Sequence, residues 1–250
     1  MGKLVLGLSL IMSTIVSTGA LAQNYAKWNW YLGAAHGRQE SNVGSLIVSE
    51  GGETFPALQP CSTDGADVLG SHLQRIFCDK RDFHGFQVAG QYNVSRWIGI
   101  RGDFTGLFNR DRATDAFGTG ADEHIDTSHI TDRTYVLLTG VEIGDNASPR
   151  WRPFAHAMIG AARVTSDDRQ TSTGPFNFSI RDHSTSLAMN VGAGLDINVT
   201  PRFDVRLIEV DYVPVFGRDR TTPTVNADFD QRVKGRTAKN VNFSFGIVWH

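Results

Sequence analysis

The sequence predicts an all-β protein, an eight-stranded antiparallel up-and-down β-barrel that crosses a membrane. Three observations predict this fold class. Large apolar side chains alternate with small or polar ones in eight stretches, the connections between these stretches alternate between long and short, and no apolar run after residue 22 is long enough for a membrane-spanning helix. Any crossing of a membrane must therefore use strands.

The first 22 residues predict a secretory signal peptide, which leaves 23–250 as the barrel domain. Lys3 is the only charge in this leader, an apolar run follows it, and Ala20-Leu21-Ala22 is a small-residue cleavage motif. The alternative is an uncleaved anchor, although no stop-transfer pattern follows. Without Lys3 the chain keeps 23 of its 24 basic side chains against 26 acidic ones, a balance that argues against a nucleic-acid-binding protein.

The alternation is clearest in the last stretch, 240–249, where Asn242, Ser244 and Gly246 separate large apolar residues. A bulky face opposite a face with little volume suits a wall between lipid and a narrow lumen. Five earlier stretches each have one favoured outward set, which in the fourth stretch rests on keeping Glu142 out of the lipid. These sets are Trp28, Trp30, Leu32 and Ala34; Phe86, Val88, Gly90, Tyr92 and Val94; Ile98, Ile100, Gly102 and Phe104; Tyr135, Leu137, Thr139, Val141 and Ile143; and Leu187, Met189, Val191, Ala193, Leu195, Ile197 and Val199.

The fifth and seventh stretches, 154–163 and 203–213, are harder to orient. In the seventh, a continuous register would expose Glu209 and Asp211 to lipid, so a β-bulge near Ile208 is expected. In the fifth, two registers stay open, and only His156 favours the second. The outward set there is either Phe154, His156 and Met158 or Ala155, Ala157 and Ile159.

The connections alternate strictly in length. Long ones of about 47, 24, 22 and 26 residues take turns with short ones of two to six residues. A meander with its long loops at one rim and its tight turns at the other is typical of bacterial outer-membrane barrels. We therefore expect short periplasmic turns and four long extracellular loops. A soluble lipocalin-like barrel would instead place its bulky face inside.

Aromatic residues gather near the strand ends and predict two girdles at the membrane interfaces. Trp97 belongs to a girdle only if local twist turns it away from the lumen. The predicted girdle residues are Trp28, Trp97, Trp151 and Tyr212.

From about Trp28 onward, the chain resembles small eight-stranded outer-membrane barrels of the OmpA-transmembrane-domain and OmpX type. The resemblance implies an outer-membrane location beside lipopolysaccharide. It also implies that the barrel-assembly machinery recognises the last strand, although His250 follows the terminal aromatic residue that such strands usually end on. The residues that carry this assembly signal are Phe243, Phe245, Ile247 and Trp249.

An eight-stranded barrel has a lumen that side chains just fill. Unpaired charges there would be costly, so the inward arginines are expected to pair with inward acids. The alternative is a gated small-ion pore whose gate is the same pairing. The predicted charge network contains Arg101, Asp103, Glu142, Asp196 and Arg206, beside the inward Gln87, Gln91 and Asn190 and, in the second register of the fifth stretch, His156.

Cys61 and Cys78 are the only cysteines, and both lie in the first long connection. Export to an oxidising compartment predicts a disulfide between them. In the loop-entropy account, a closure of this size contributes about 3 kcal/mol.

Two constellations could suggest chemistry. The second long connection holds residue types that bind divalent ions, but without defined spacing, so a solvated acidic loop is favoured; they are Asp122, Glu123, His124, Asp126 and His129. His183-Ser184 with Glu209 resembles the serine chemistry of lipid A deacylases, but no motif brings these residues together.

The predicted function is therefore a structural or surface-interaction role rather than an enzymatic one, with no catalytic, cofactor or metal residues. The alternatives are a small gated pore and a lipid A-modifying enzyme. The expected partners are outer-membrane lipid and lipopolysaccharide, the barrel-assembly machinery and an extracellular ligand of the loops.

Overall fold

A computed structural model of the protein describes residues 25–41, 43–50, 53–54, 59, 61–62, 74, 78–117, 124–148, 150–173, 178–223 and 229–250. The predicted signal peptide lies outside these residues. Among them, no helix has both the length and the apolar character that crossing a membrane would demand.

Twelve strands run through the described residues. They are β1 (Trp28–Gln39), β2 (Val43–Glu50), β3 (Glu53–Thr54), β4 (Arg81–Asn93), β5 (Ile98–Phe117), β6 (His124–Gly144), β7 (Trp151–Ser172), β8 (Phe178–Thr200), β9 (Phe203–Phe216), β10 (Arg220–Pro223), β11 (Phe229–Gly235) and β12 (Thr237–Trp249).

Eight of these strands close into an antiparallel barrel in the order β1-β12-β9-β8-β7-β6-β5-β4. They contain the eight stretches that the alternation predicted. The last strand pairs with the first, which sets Trp30 opposite Trp249 and closes the ring. The predicted eight-stranded barrel is confirmed.

The register of the ring fixes the tilt of its strands. A walk across paired residues that starts at Ile98 on β5 returns to β5 at Phe108, ten residues further along. The residues on the way are Ile143, Ala155, Ala193, Val210, Phe243, His36 and His84. A stagger of ten residues over eight strands tilts the strands by about 40° from the barrel axis.

Side-chain exposure settles the two stretches whose facing was open. In β7, His156 is buried and Ala157 is exposed, so the second of the two registers is correct. In β9, Leu207 and Ile208 are both exposed, and the pairing with β8 skips one residue at this point. The predicted bulge is present, and it returns Glu209 to the lumen.

The ends of the barrel differ. We call the end that carries the short turns 94–97, 145–148 and 201–202 the inner end, and the opposite end the outer end. The prediction of four long outer loops is wrong in two places. β5 and β6 stay paired from Ile98 to Phe117, and β7 and β8 stay paired up to Gln170 and Phe178. The ladder hydrogen bonds of these strand pairs therefore continue past the level where lipid ends.

The first and fourth long connections also contain strands that the sequence did not predict. β2 pairs with β3 and β11, and β11 pairs with β10, in a four-stranded sheet beyond the barrel, which we call the outer sheet. It joins a connection near the start of the chain to one near its end.

The predicted disulfide forms in the first of these connections. Cys61 and Cys78 are bonded, with their Cα atoms 5.4 Å apart, inside the usual range for such bridges. Gln74 donates a hydrogen bond of 2.7 Å to the carbonyl oxygen of Ser62, so the closed segment has a second tie.

Candidate functional site: the charged lumen

The lumen is crossed by one network of buried charges, and Arg101 on β5 lies at its centre. Its Nη1 donates to Glu142 Oε2 at 3.0 Å, and its Nη2 donates to Asp103 Oδ2 at 3.0 Å. The same Nη2 reaches Glu209 Oε1 at 2.7 Å. All four side chains are at most 2% exposed, so water cannot screen these charges.

Glu209 connects this centre to a second arginine. Its other oxygen, Oε2, accepts a hydrogen bond from Arg206, which also forms a two-pronged pair with Asp196 at 2.7 and 3.1 Å. β5 and β9 lie opposite each other in the ring. The contact between Arg101 and Glu209 therefore spans the lumen from wall to wall.

Aromatic rings pack against the arginines. The guanidinium carbon of Arg206 lies 4.3 Å from the ring centre of Tyr31 and 4.2 Å from that of Phe154. Arg101 lies 5.8 Å from the same Phe154 ring. Desolvated cation–π contacts of this kind hold the flat guanidinium groups in place, which adds to the ion pairs.

Toward the inner end, Arg152 extends the network. Its Nη2 donates to Asp196 Oδ2 at 2.6 Å and lies 3.8 Å from Asp204. Asp204 in turn lies 3.1 Å from Nε2 of His250. The residue after the terminal aromatic is thus tied to the inner rim.

The structure brings together all five residues of the predicted network, but the network is larger than predicted. The predicted network did not include Arg152, because this residue precedes Pro153 and lies outside the predicted stretch 154–163. It did not include Asp204 either, although its position between the outward Phe203 and Val205 indicates an inward side chain. Glu209 was predicted to face inward through the bulge, yet its place as the bridge between two arginines required the three-dimensional arrangement.

Three of the buried side chains are of the types that bind metals. His156, Glu209 and Asp211 offer ligand atoms within 4.8 Å of one another. His156 Nε2 lies 2.8 Å from Asp211 Oδ1, and both oxygens of Glu209 already accept from arginines. A cation here would have two guanidinium groups as its nearest neighbours, so the cluster fits an ion-pair network better than a metal site.

An apolar cluster lies in the lumen on the outer side of the charged network, which was not predicted. Its side chains are all at most 4% exposed. We call this cluster the apolar plug, and polar inward side chains such as Thr134 and Asn240 lie around it. Its members are Val136, Leu138, Met158, Ala162, Ala188, Val213, Val215 and Ala238.

The two chemical constellations are not assembled. Asp126 and His129 lie on opposite faces of β6, since they are three positions apart, while Asp122 and Glu123 lie outside the described residues. Glu209 pairs with Gly194, ten residues along β8 from Ser184, a distance of roughly 33 Å. The acid of the suggested deacylase set is therefore in the lumen, far from the serine.

The predicted girdle residues are exposed on the outside of the barrel. Trp28, Trp151 and Trp97 are 43–53% exposed at the inner end, and Trp97 lies in the turn 94–97 rather than in a strand. Tyr212 is 43% exposed on the outer half of β9. In β12 the four residues of the predicted assembly signal, Phe243, Phe245, Ile247 and Trp249, also face outward and are 37–63% exposed.

Comparison with known proteins places this barrel in a family. No curated protein sequence matches the chain. Among solved structures, it is similar to the attachment invasion locus protein Ail of Yersinia pestis in complex with a heparin analogue, with 14% identity, 88% of this chain and 99% of that chain covered, and a TM-score of 0.39. It is also similar to OprG of Pseudomonas aeruginosa, with 8% identity, 91% and 98% coverage and a TM-score of 0.46. The outer membrane protease OmpT of Escherichia coli matches with 11% identity, 93% and 99% coverage and a TM-score of 0.44.

Likenesses this weak say nothing about activity. The family model described as "Outer membrane protein beta-barrel domain" matches residues 8–250, nearly the whole length. The match agrees with the closed eight-stranded ring and its outward aromatic residues. The chain belongs to the outer membrane protein beta-barrel domain family.

Proposed function

We propose that this outer-membrane barrel is a non-enzymatic anchor that presents an outer head to ligands outside the cell. The outer head consists of 109–117, 124–132, 164–172 and 178–186 together with the outer sheet. One observation carries the proposal: β5 to β8 are 20 to 23 residues long, whereas about 9–11 residues suffice to cross the membrane. About half of each strand is therefore available beyond the lipid.

The closed lumen favours an anchor over a pore. Arg101 and Glu209 join opposite walls, and the apolar plug lies beyond them. A conducting path would need both layers to move, and buried pairs of this kind are costly to separate.

The anchor and the pore predict different conductances. Purified barrels in planar bilayers are expected to show no conductance above that of the lipid, because the charged layer and the apolar plug both block the lumen. Glu142→Ala removes one acid from the charged layer but leaves the plug, so it too is expected to be silent. Discrete openings in the wild type that change with Glu142→Ala would favour a gated pore.

Trimming the outer sheet tests the anchor directly. Gln39 pairs with Arg81, and Phe216 pairs with Thr237, so 40–80 and 217–236 can each be replaced by a short turn without breaking the barrel register. Cells that display the full chain are expected to adhere to matrix-coated or epithelial surfaces. Cells with the trimmed chain are expected to lose most of that adherence, because the outer sheet is removed from the proposed contact surface and only the outer parts of β5 to β8 remain.

The comparison requires equal amounts of folded barrel in both strains. Folding is followed by the shift in gel mobility between unboiled and boiled samples, and cells that lack the chain set the background. Equal adherence of the two strains, or no adherence above background in either, would contradict the proposal.

Export and assembly complete the proposed function. We propose that residues 1–22 direct export and are then removed, and that the outward face of β12 addresses the barrel-assembly machinery. The exposed apolar row Phe243, Phe245, Ile247 and Trp249 supports the second point, because it runs along one face of β12 without a polar interruption.

A further inference from the structure

A basic surface covers the outward faces of β5, β6 and β7 near the outer edge of the lipid-facing wall. Six exposed side chains of three adjacent strands form it, and we call them the basic patch. The members of the basic patch are Arg110, Arg112, His129, Arg133, Arg163 and Arg169.

The acids of the same strand segments lie on the other face. Alternation turns Asp111 and Asp132 toward the lumen, where Arg81 pairs with both at 2.9 and 2.5 Å. Among the described outward residues of these segments, Asp167 is the only acid, and it is paired with Arg181 on β8. Within the described part of the chain, the five arginines of the patch have neither an ion pair nor a hydrogen bond from their side chains. The patch is thus positive and has no internal counter-charge.

Three of the arginines lie at nearly one level of the membrane. Arg110 pairs with Thr131, two residues from Arg133, and Arg133 pairs with Thr165, two residues from Arg163. Each step from β5 to β7 therefore moves two residues toward the inner end. A line drawn around the barrel at constant height in the membrane also shifts toward the inner end, because the strands are tilted. With a stagger of ten residues over eight strands, this shift is 1.25 residues per strand. Over the two steps, the three arginines therefore deviate from constant height by about 1.5 residues, or roughly 5 Å along the strand.

That level is the outer lipid boundary. Arg133 pairs with Phe108, and Arg163 pairs with Tyr135. Phe108 and Tyr135 are in contact, with ring centres 5.9 Å apart, and Phe104 stacks on Tyr135 at 6.1 Å. Aromatic rings of outer-membrane barrels lie at the headgroup level, and arginine side chains beside them extend their charge toward water.

We propose that the basic patch binds the phosphate groups of lipopolysaccharide in the outer leaflet. The row Arg110, Arg133 and Arg163 meets the phosphates at the boundary, because guanidinium groups pair with phosphate oxygens through two parallel hydrogen bonds. The aromatic rings below the row contact the acyl chains of the same lipid. The other members of the basic patch lie closer to the outer end, at the level of the phosphorylated core sugars. There, His129 pairs with Arg112 on one side and with Arg169 on the other.

The position of the row argues for a lipid rather than a soluble polyanion. We would expect a soluble sulfated polysaccharide to bind charges that are spread over the outer sheet. The arginine row lies instead beside aromatic rings that face lipid. The patch lies at the lipid boundary and not in the outer sheet, so trimming 40–80 and 217–236 leaves it in place. A test of lipid binding and a test of surface contact can therefore fail independently.

The test compares two triple variants of the full chain in lipid nanodiscs. Arg110→Gln, Arg133→Gln and Arg163→Gln together remove the row. The matched control removes three exposed charges of the same sign from the outer part of the chain, through Arg218→Gln, Arg232→Gln and Lys234→Gln. Binding of fluorescent bisphosphorylated deep-rough lipopolysaccharide, and of the same lipid after dephosphorylation, is measured at fixed salt, because charge-driven binding depends on salt.

The wild type and the control are expected to bind the phosphorylated lipid equally. The row variant is expected to bind it at least ten-fold more weakly, with its gel-mobility shift intact. Dephosphorylated lipid is expected to bind the wild type as weakly as the row variant binds the intact lipid. The proposal would be overturned if the row variant bound the lipid as tightly as the wild type, or if dephosphorylation of the lipid had no effect. It would also be overturned if heparin displaced the lipid from the wild type but not from the control variant.

Discussion

Replacement of Arg101 by methionine is expected to destabilise the barrel more than any other single change considered. Methionine keeps much of the side-chain volume but leaves Asp103, Glu142 and Glu209 buried without their shared partner. Removing one member of a buried ion pair typically costs about 3–5 kcal/mol, because the remaining charge has no solvation. The expected result is a lower urea concentration at the midpoint of unfolding, read from the gel-mobility shift.

An exposed ion pair in the same protein serves as a control, because it shows what the loss of an ion pair costs when the remaining charge is not buried. Arg96 forms two hydrogen bonds of 2.7 Å with Asp145, but this pair is exposed and joins two turns at the inner end. Arg96→Met is expected to leave the midpoint unchanged, since water solvates the freed carboxylate. Arg101→Lys should fall between the two, because one ammonium cannot reach three carboxylates with the geometry of a guanidinium. An unchanged midpoint for Arg101→Met would mean that the network does not stabilise the fold.

The second large effect is expected for Gly192→Val. Gly192 faces the lumen, and a Cβ atom there would lie 2.0 Å from Asp211 Oδ1 and 2.6 Å from His156 Nε2. Valine would have to separate His156 from Asp211, which lie 2.8 Å apart. Overpacking of this kind costs about 1–3 kcal/mol, and the expected measurement is again a lower urea midpoint.

Gly102 provides the matched control for this substitution. It faces outward on β5, and nothing lies within 4 Å of the position of its Cβ. Gly102→Val adds an apolar, β-branched side chain to the lipid-facing wall, so it should leave the midpoint unchanged or raise it. Equal loss in both variants would point to the backbone of glycine rather than to crowding at the network. Gly192→Ala, with a single methyl group, is expected to give a smaller loss than valine.

The lipid-spanning wall could be predicted from the sequence because a two-residue period is a local property. Leu137, Val141 and Ile143 are exposed and Glu142 is buried, as the alternation around them indicates. The bulge at Ile208 was also predictable, since the alternative would place Glu209 and Asp211 in lipid. Both predictions depend on the high cost of a charge in hydrocarbon.

The outer half of the protein was not predictable in the same way. Beyond the lipid no strict apolar face is needed, so the paired segments 109–117 and 124–132 looked like a polar loop. β2 and β11 pair with each other although about 180 residues separate them, and no local pattern reports such a contact. In the network, Arg101 and Glu209 come from opposite walls, so their contact follows from closure of the ring rather than from either strand.

The outer sheet lies over the seam where the first and last barrel strands meet. At that seam the backbone nitrogen of Glu40 donates to Asn240 Oδ1 at 3.0 Å, and its carboxylate accepts from the backbone nitrogen of Lys239 at 3.1 Å. β2 and β11 then join the two chain segments again further out. Since β2 follows β1 and β11 precedes β12 in the chain, the sheet acts as a latch that holds the same two ends together a second time. Once fastened, it resists sideways opening at the one junction that the chain itself does not bridge covalently.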